Sequence, residues 1–230
     1  MTITHHPNIE QGSDEWLQLR CGLLTASEMK LILTPSLKVA SNEKERAHLY
    51  ELLAQRISGY VEPTYIGSDM LRGHEDEVEA RIAYEKAYGP VTECGFITND
   101  KWGFTIGYSP DGLVGNDGLI EVKSRRQKFQ VQTVIENVLT DTAPLDFMLQ
   151  CQTGLMVSER QWLDFISYSG GLPMATIRVW PDPVVQDAIE AAATDFEARL
   201  QSKLNLYREA LASNARLIPT ERVIIQEMYA

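Results

Sequence analysis

The sequence predicts a single domain of the α+β class, in which helices flank a central mixed β-sheet. The hydrophobic period changes several times along the chain, and this predicts the class. Apolar residues recur at helical spacing up to about residue 89, short β-like runs follow up to residue 124, and helical patterns then return. A length of 230 residues suits one large domain, and no linker or internal repeat divides the chain.

Capping and turn residues set the bounds of the first predicted helices. Thr25 and Glu28 have capping-box spacing, which predicts a helix over about 26–33. Ser41 as the N-cap and Gly59 as the stop bound a second helix. Together these signals predict two helices before residue 60.

A third helix is predicted from about Ser68 to the Gly89–Pro90 stop. Strands are then predicted at "TECGFITN", "GFTIGYS" and "LIEVKS". Helical patterns follow in "FQVQTVIENVLT" and "PLDFMLQCQTGLMVS", and two more strands in "QWLDFISYS" and "MATIRVW". A long helix over about 183–213 precedes a tail at 214–230, for which we predict a role in assembly or partner contact.

The composition narrows the classes of function. A formal net charge of −11 and a pI near 4.9 argue against general affinity for nucleic acid. The segment "EVKSRRQK" is locally basic, with a solvated strand end as the alternative interpretation. No membrane span or signal peptide is recognised. Three distant cysteines form neither a disulfide framework nor a metal knuckle, so we expect a reducing cytoplasm.

The stretch "SPDGLVGNDGLIEVKSRR" carries the strongest chemical signal. Asp111 lies in a Pro-Asp-Gly turn, and "GNDG" is a hairpin turn signal. Glu121 and Lys123 are two residues apart on the following predicted strand, so their side chains project from one face. The hairpin is therefore expected to bring both carboxylates and the lysine together.

One acidic residue of the third predicted helix, Glu77, does not lie on a side of the helix that the sequence predicts to be solvated. At about 100° per residue, Leu71, Val78 and Ile82 cluster on one side, whereas Glu77 falls in the sector of Gly73 and Ala80. A buried carboxylate there needs a metal or a basic partner. The alternative is an ordinary solvated helix face.

A glutamine pair in "FMLQCQTGLMV" is also out of place in an apolar helix. The residue pattern alone favours structural hydrogen bonding for Gln150 and Gln152.

Converging carboxylates suit Mg²⁺ or Mn²⁺, which take oxygen ligands in octahedral geometry. Such ions bind the phosphate of a phosphodiester and activate a bound water as the nucleophile. A neighbouring lysine can hold that water or neutralise negative charge in the transition state. Acid-plus-lysine alone is a common pattern. The Pro-Asp turn and the hairpin make it more specific.

These residues resemble a known family. Pro110-Asp111 and Glu121-Val122-Lys123 match the PD-(D/E)XK nuclease motif, which implies a restriction-endonuclease-like core. The chain is more specifically similar to the phage lambda exonuclease and YqaJ-type viral recombinases. Four motifs occur in that family's order: "QGSDEWLQLRCGLLTASE", "RGHEDEVEAR", "SPDGL…LIEVK" and "FMLQCQTGLMV".

The resemblance implies roles for the hairpin and the helix acid. It implies that Asp111, Glu121, the Val122 carbonyl and Glu77 bind two Mg²⁺ ions, with Mn²⁺ as a substitute. It implies that Lys123 assists the nucleophilic water.

The resemblance also implies the setting of the reaction. Gln150 would lie at the edge of the active site, and Arg20, Ser27 and Ser109 would bind the 5′-terminal phosphate. The activity implied is 5′-to-3′ digestion of linear duplex DNA to mononucleotides, leaving 3′ overhangs. The implied assembly is a trimeric ring in a phage-infected or prophage-carrying bacterium, working with a single-strand annealing protein in recombination.

Other classes of protein share parts of this pattern. A Cas4-like or RecB-like nuclease with an iron–sulfur cluster needs four cysteine ligands, and this chain has three cysteines far apart in sequence. A restriction endonuclease shares the hairpin but not the N-terminal motif. A non-catalytic DNA-binding scaffold has no reason to keep Asp111, Glu121 and Lys123 together.

Overall fold

Helices and strands follow one another largely in the predicted order. The computed structural model describes residues 2–63, 67–213 and 215–222. The first elements are β1 (Ile3–His6), α1 (Asp14–Arg20), β2 (Leu24–Thr25), a 3₁₀ turn (Ala26–Glu28), α2 (Met29–Ile32), α3 (Glu43–Ser58) and α4 (Ser68–Tyr88). The later elements are β3 (Phe96–Asn99), β4 (Ile106–Tyr108), β5 (Gly112–Val114), β6 (Gly118–Ser124), α5 (Gln127–Thr133), a π-helical turn (Val134–Val138), α6 (Leu145–Ser158), β7 (Trp162–Tyr168), β8 (Ala175–Val179) and α7 (Pro183–Ala212).

The strands within these described ranges form two four-stranded mixed sheets. The first has the order β1-β3-β4-β2, with β2 parallel to β4. The second has the order β5-β6-β7-β8, with β6 parallel to β7. The predicted α+β class, with mixed sheets and flanking helices, is confirmed. The described strands form two sheets and not one central sheet, because β4 and β5 do not pair with each other. The strands β1 and β2, which the sequence pattern did not predict, extend the β3–β4 pair.

Helix α6 connects the two sheets. It contacts β3 and β4 of the first sheet and β7 of the second, and α7 packs against α6 and α3. Buried side chains such as Ile106, Leu155, Phe165 and Phe196 belong to one continuous core across these elements. A side chain on α6 therefore reaches the region where the two sheets meet.

Helix α4 buries a different face from the one its largest apolar residues indicate. Leu71, Val78 and Ile82 are each about half exposed. Ala80 and Tyr84 are buried instead, against Ile120, Val122 and Ile166. The sector that contains Glu77 is therefore the one that faces the second sheet.

Two predicted N-caps differ from the structure. Asn42, not Ser41, caps α3, and its side chain accepts from the amides of Lys44 and Glu45. The Thr25 hydroxyl donates to the Glu28 carboxylate at 2.7 Å and makes no capping bond to the backbone. The predicted helix over 26–33 is accordingly a 3₁₀ turn followed by the short helix α2.

The C-terminal part contains the longest helix. Helix α7 begins as predicted, with the Asp182 side chain accepting from two backbone amides of its first turn. Among the described helices, none combines the length and the apolar character that crossing a bilayer requires. Residues 215–222 are exposed and form no helix or strand. The rest of the predicted tail, residue 214 and residues 223–230, lies outside the described residues.

An ion pair joins α7 to α3. The Nη atoms of Arg56 donate to both carboxylate oxygens of Glu197 at 2.7 and 2.8 Å, and Nε donates to the Gly22 carbonyl at 2.7 Å. Glu197 is mostly buried. Glu197→Ala therefore leaves the Arg56 guanidinium without its counter-charge in a place that water reaches poorly. We expect the free energy of unfolding to fall by about 2–3 kcal/mol in urea denaturation. The control is Asp195→Ala, an exposed acid of the same helix paired with Arg199, where we expect less than about 1 kcal/mol. Equal losses would contradict this.

Candidate active site

The β5–β6 hairpin brings the predicted acids together. Gly112 pairs with Ile120 across the hairpin, so Asp111 lies beside Glu121 and Val122. Asp111 Oδ2 accepts a hydrogen bond from the Val122 amide at 2.6 Å. The tight turn begins at Gly115, whose φ of +54° suits glycine. The predicted convergence of these residues is therefore present in the structure.

Glu121 is the most enclosed of the candidate ligands. Its side chain is 1% exposed and accepts hydrogen bonds from three donors on three elements. The Tyr108 hydroxyl donates to one carboxylate oxygen at 2.9 Å, and Lys123 Nζ donates to the other at 2.7 Å. The Gln150 side-chain amide donates to that second oxygen as well. Glu121 and Lys123 project from one face of β6, as the strand period predicted.

Negative charge accumulates at this point. Burial raises the pKa of Asp111 well above its ordinary value, and the Glu121 and Glu77 carboxylates raise it further. Burial also raises the pKa of Glu77, although Arg81 and His74 oppose the shift. Three carboxylates therefore share a site that is short of positive charge.

Lys123 supplies part of the missing positive charge. Burial acts to lower the pKa of Lys123, but Glu121 and Asp111 outweigh this effect and raise it. A protonated Lys123 therefore lies beside the carboxylates.

The donor set fits a hard divalent cation. The candidate ligands are oxygen atoms, and their mutual repulsion is the effect that a bound cation removes. Within the described part of the chain, no three His, Cys, Asp or Glu side chains are already arranged as a metal cage. Glu121 instead faces Tyr108, Lys123 and Gln150, so metal binding would replace some of these hydrogen bonds.

One cleft contains all of the residues to which the resemblance assigned a role. Its volume is about 390 Å³. Its lining includes the candidate metal, catalytic and phosphate-binding residues: Arg20, Ser27, Glu77, Ser109, Asp111, Glu121, Val122, Lys123 and Gln150. Residues from α1, α4, α6 and both sheets thus meet at a single place.

Arg20 lies at one end of this cleft on an aromatic support. Its guanidinium carbon is 4.3 Å from the Trp16 ring centroid, and Nη2 donates to Thr25 Oγ1 at 3.2 Å. Glu28 is at 4.0 Å. Burial lowers the pKa of Arg20, and Glu28 partly offsets this. Arg20 thus has no close bidentate partner among the described residues and can offer donors to an anion.

The two serines lie near Arg20. Ser27 Oγ is 3.4 Å from Thr25 Oγ1, in the 3₁₀ turn. Ser109 Oγ accepts from Trp16 Nε1 at 2.9 Å. Because the turn is short and is followed by a four-residue helix, a helix dipole contributes little at Ser27. The main donors that this end of the cleft has for an anion are therefore hydroxyl and guanidinium groups.

A three-residue connection joins the two ends of the cleft. Ser109, Pro110 and Asp111 link β4 of the first sheet to β5 of the second. The Gln11 side-chain amide donates to the Pro110 carbonyl at 3.0 Å and anchors the connection. The proline fixes one backbone angle. The spacing between Ser109 and Asp111 is therefore well defined.

Comparison with known proteins identifies the group to which this arrangement belongs. The family model of the YqaJ-like viral recombinase domain matches residues 15–161, a segment that contains all of the candidate residues. The chain belongs to the YqaJ-like viral recombinase domain family. No curated protein matches the chain.

Solved structures agree with this membership. The YqaJ-like chain is similar to the alkaline exonuclease LHK-Exo from Laribacter hongkongensis, with 30% identity, a TM-score of 0.76 and coverage of 87% of this chain and 98% of that one. The complex of LHK-Exo with dAMP matches with 31% identity and the same coverage and TM-score. A phage-related exonuclease from Haemophilus somnus 129PT shares the fold, at 13% identity and a TM-score of 0.53, over 79% of this chain and 96% of that one.

Sequence reasoning missed several side chains of this YqaJ-like site. Trp16 supports Arg20 and binds Ser109, although it lies within the N-terminal motif. Tyr108, which donates to Glu121, immediately precedes the "SPD" motif on β4, and this position is the signal that would have found it. Gly154 allows the Tyr108 ring to lie against α6, because a Cβ atom at residue 154 would be 2.7 Å from Tyr108 Cζ.

One acid of α4 is less solvated than helix periodicity predicts. At about 100° per residue, Asp76 lies toward the side opposite Leu71, Val78 and Ile82, yet it accepts a hydrogen bond from Ser124 at the end of β6. Gln150 makes a hydrogen bond, as the residue pattern predicts, and its acceptor is Glu121. Gln152 is structural, because it donates to the Trp180 carbonyl at 2.8 Å and accepts from the Asp182 amide at 2.9 Å.

Proposed function

We propose that this protein is a Mg²⁺-dependent 5′-to-3′ exonuclease of linear double-stranded DNA. It would release 5′-mononucleotides and leave 3′ single-stranded overhangs for recombination by strand annealing. The observation that carries the proposal is one cleft with Arg20 at one end and Asp111, Glu121 and Lys123 at the other. Family membership and the similarity to an alkaline exonuclease support a phage-type nuclease.

Each group in the cleft has a chemical role in this proposal. Asp111, Glu121, Glu77 and the Val122 carbonyl would hold two Mg²⁺ ions, for which Mn²⁺ would substitute. The ions would supply Lewis acidity and neutralise charge at the scissile phosphate. Lys123 orients the attacking water through its N–H donors and balances negative charge in the transition state.

The other candidate residues position these groups and the substrate. Gln150 and Tyr108 hold the Glu121 carboxylate in place. Arg20, Ser27 and Ser109 bind the 5′-terminal phosphate, so the next phosphodiester lies at Asp111 and Glu121. A single nucleotide is released at each cut.

The test is digestion of end-labelled duplex DNA with and without Mg²⁺. We expect labelled mononucleotides from 5′-phosphorylated linear duplex, much slower release from 5′-hydroxyl ends, and none in EDTA. Covalently closed circular duplex and 3′-labelled duplex serve as controls for endonuclease action and polarity. Cleavage of the circle, or first release from the 3′ end, would overturn the proposal.

Arg20→Ala is expected to remove most of the preference for a 5′-phosphate. Arg20 presents a planar fork of donors, and its loss should slow release from phosphorylated ends by roughly 10–100-fold. Release from 5′-hydroxyl ends should change little. The measurement is single-turnover release from both substrates, with Arg46→Ala as the control, since Arg46 also lies over an aromatic ring but on α3. An undiminished preference in Arg20→Ala would place phosphate recognition elsewhere.

Assembly and setting complete the proposal. We expect three chains to form a ring in the cytoplasm of a bacterial host and to act with a single-strand annealing recombinase. Light scattering or native mass spectrometry should give a mass near three times 25.9 kDa. A strict monomer that digests long DNA without dissociating would contradict the ring.

A further inference from the structure

The ladder of β6 continues past its last residue. The Arg125 amide donates to the Tyr168 carbonyl at 2.7 Å, so the chain stays extended beyond Ser124. With a period of two residues, Arg125 then projects from the same face as Glu121 and Lys123. Each such step along a strand is about 6.6 Å, which is similar to the separation of neighbouring phosphates along one DNA strand. Arg125 lies one step beyond Lys123.

Two aromatic rings support Arg125. Its guanidinium carbon is 5.2 Å from the centroid of Phe129 on α5 and 5.0 Å from that of Phe147 on α6. Lys123 Nζ is 5.7 Å from the Phe147 centroid. Lys123 and Arg125 thus both pack on the Phe147 ring. This shared contact fixes where the Arg125 guanidinium lies relative to the Lys123 ammonium group.

Arg125 has an unused donor. Its Nε is buried, and no described residue accepts a hydrogen bond from it. Asp146 acts on the Arg125 charge without a direct ion pair among the described residues. By contrast, Arg178, which lies 3.8 Å from the Trp162 centroid, donates twice to Asp164. Nε itself is enclosed, but Arg125 as a whole is only partly buried, and its guanidinium makes no hydrogen bond to a described residue. A guanidinium without an acceptor is costly where it is partly desolvated, so its more exposed edge is free to take an acceptor from outside the chain.

We propose that Arg125, held between Phe129 and Phe147, binds a phosphate of the cleaved strand on the 3′ side of the scissile linkage. The inference rests on the proposed function and adds a second phosphate site to it. The lining of the cleft runs from Arg20 to Lys123 and Ser124, and Arg125 follows immediately outside it. A strand whose 5′ end is held at Arg20 passes the acids and Lys123 before it reaches Arg125.

The test uses DNA in which one phosphate has lost its charge. The substrates are 5′-phosphorylated duplexes with a neutral methylphosphonate at the second linkage of the cleaved strand, at the fourth linkage, or at the matching position of the complementary strand. In wild type we expect the methylphosphonate at the second linkage to slow single-turnover release about tenfold, and the other two modifications to have little effect. Arg125→Gln should be about tenfold slower on unmodified DNA and show no added penalty at the second linkage.

A second readout is the salt dependence of DNA binding in EDTA. Loss of one phosphate contact should reduce the slope of log K against log salt by about 0.9 in Arg125→Gln. Arg46→Gln, the arginine over Tyr50 on α3, is the matched control and should leave both readouts unchanged. The inference would be overturned if the methylphosphonate at the second linkage still slowed Arg125→Gln as much as wild type. It would also be overturned if only the methylphosphonate in the complementary strand slowed release.

The two proposals fail differently. If wild-type protein releases no nucleotide from any DNA, the proposed function fails. If wild type is active and Arg125→Gln matches it in rate, linkage sensitivity and salt slope, the Arg125 site alone fails. Thermal unfolding checks that Arg125→Gln is folded. Should it not fold, Phe129→Leu, at an exposed ring, is expected to lose several-fold in rate, and an unchanged rate there would overturn the inference.

Discussion

Asp111→Ala and Glu121→Ala are each expected to abolish nucleotide release. Each change removes a carboxylate from the point where Asp111, Glu121 and Glu77 converge, and the proposed Mg²⁺ ions lose a charged oxygen ligand. The measurement is single-turnover digestion of 5′-phosphorylated duplex over a range of Mg²⁺ and Mn²⁺ concentrations. A rate near that of wild type in either variant would show that the metal assignment is wrong.

The matched control for this experiment lies in the same hairpin. Asp117 is an exposed aspartate at the β5–β6 turn and accepts a hydrogen bond from Gln161. Asp117→Ala should retain the wild-type rate. DNA binding in EDTA should persist in Asp111→Ala, because the change removes negative charge near the substrate. Loss of binding there would point to misfolding and not to a missing metal ligand.

Lys123→Ala is expected to slow the chemical step by about 10²–10⁴-fold, because the attacking water loses a positioned N–H donor and the transition state loses a positive charge. The residue lies on the same face of β6 as Glu121 and donates to it at 2.7 Å. Its loss should leave the oxygen ligands in place, so the dependence of the rate on Mg²⁺ concentration should keep its midpoint. Single-turnover rates measured over a Mg²⁺ titration separate these two effects.

Lys101→Ala controls for the loss of one positive charge. Lys101 pairs with Glu159 and is about half exposed. This variant should match wild type. An unchanged single-turnover rate in Lys123→Ala would remove Lys123 from the mechanism, whereas a shifted Mg²⁺ midpoint would assign it to metal binding.

The hairpin of the site was predictable because its signals are local. The Pro-Asp-Gly turn, the glycine at the β5–β6 turn and the period of β6 are all contained in one short stretch. They place Asp111, Glu121 and Lys123 together without information from the rest of the chain. The role of Gln150 came only from the family resemblance, since nothing in the pattern of α6 shows that its amide reaches Glu121.

Features that depend on distant pairing were not predictable. The strands β1 and β2 are short and carry no alternating pattern, so the division into two sheets is set by their partners β3 and β4. On α4, the large apolar residues Leu71, Val78 and Ile82 indicated the wrong face. The buried face is set by the fit of Ala80 and Tyr84 to β6, which helix periodicity does not contain.

The connection Ser109–Pro110–Asp111 has a consequence for the size of the product. Ser109 belongs to the end of the cleft that would hold the terminal phosphate, and Asp111 to the end that would cut. The fixed proline angle and the Gln11 hydrogen bond keep this interval constant. In the proposed reaction, this connection would fix the distance between the terminal phosphate and the cut. A step of one nucleotide would then follow from the length of this peptide segment and would not depend on base sequence.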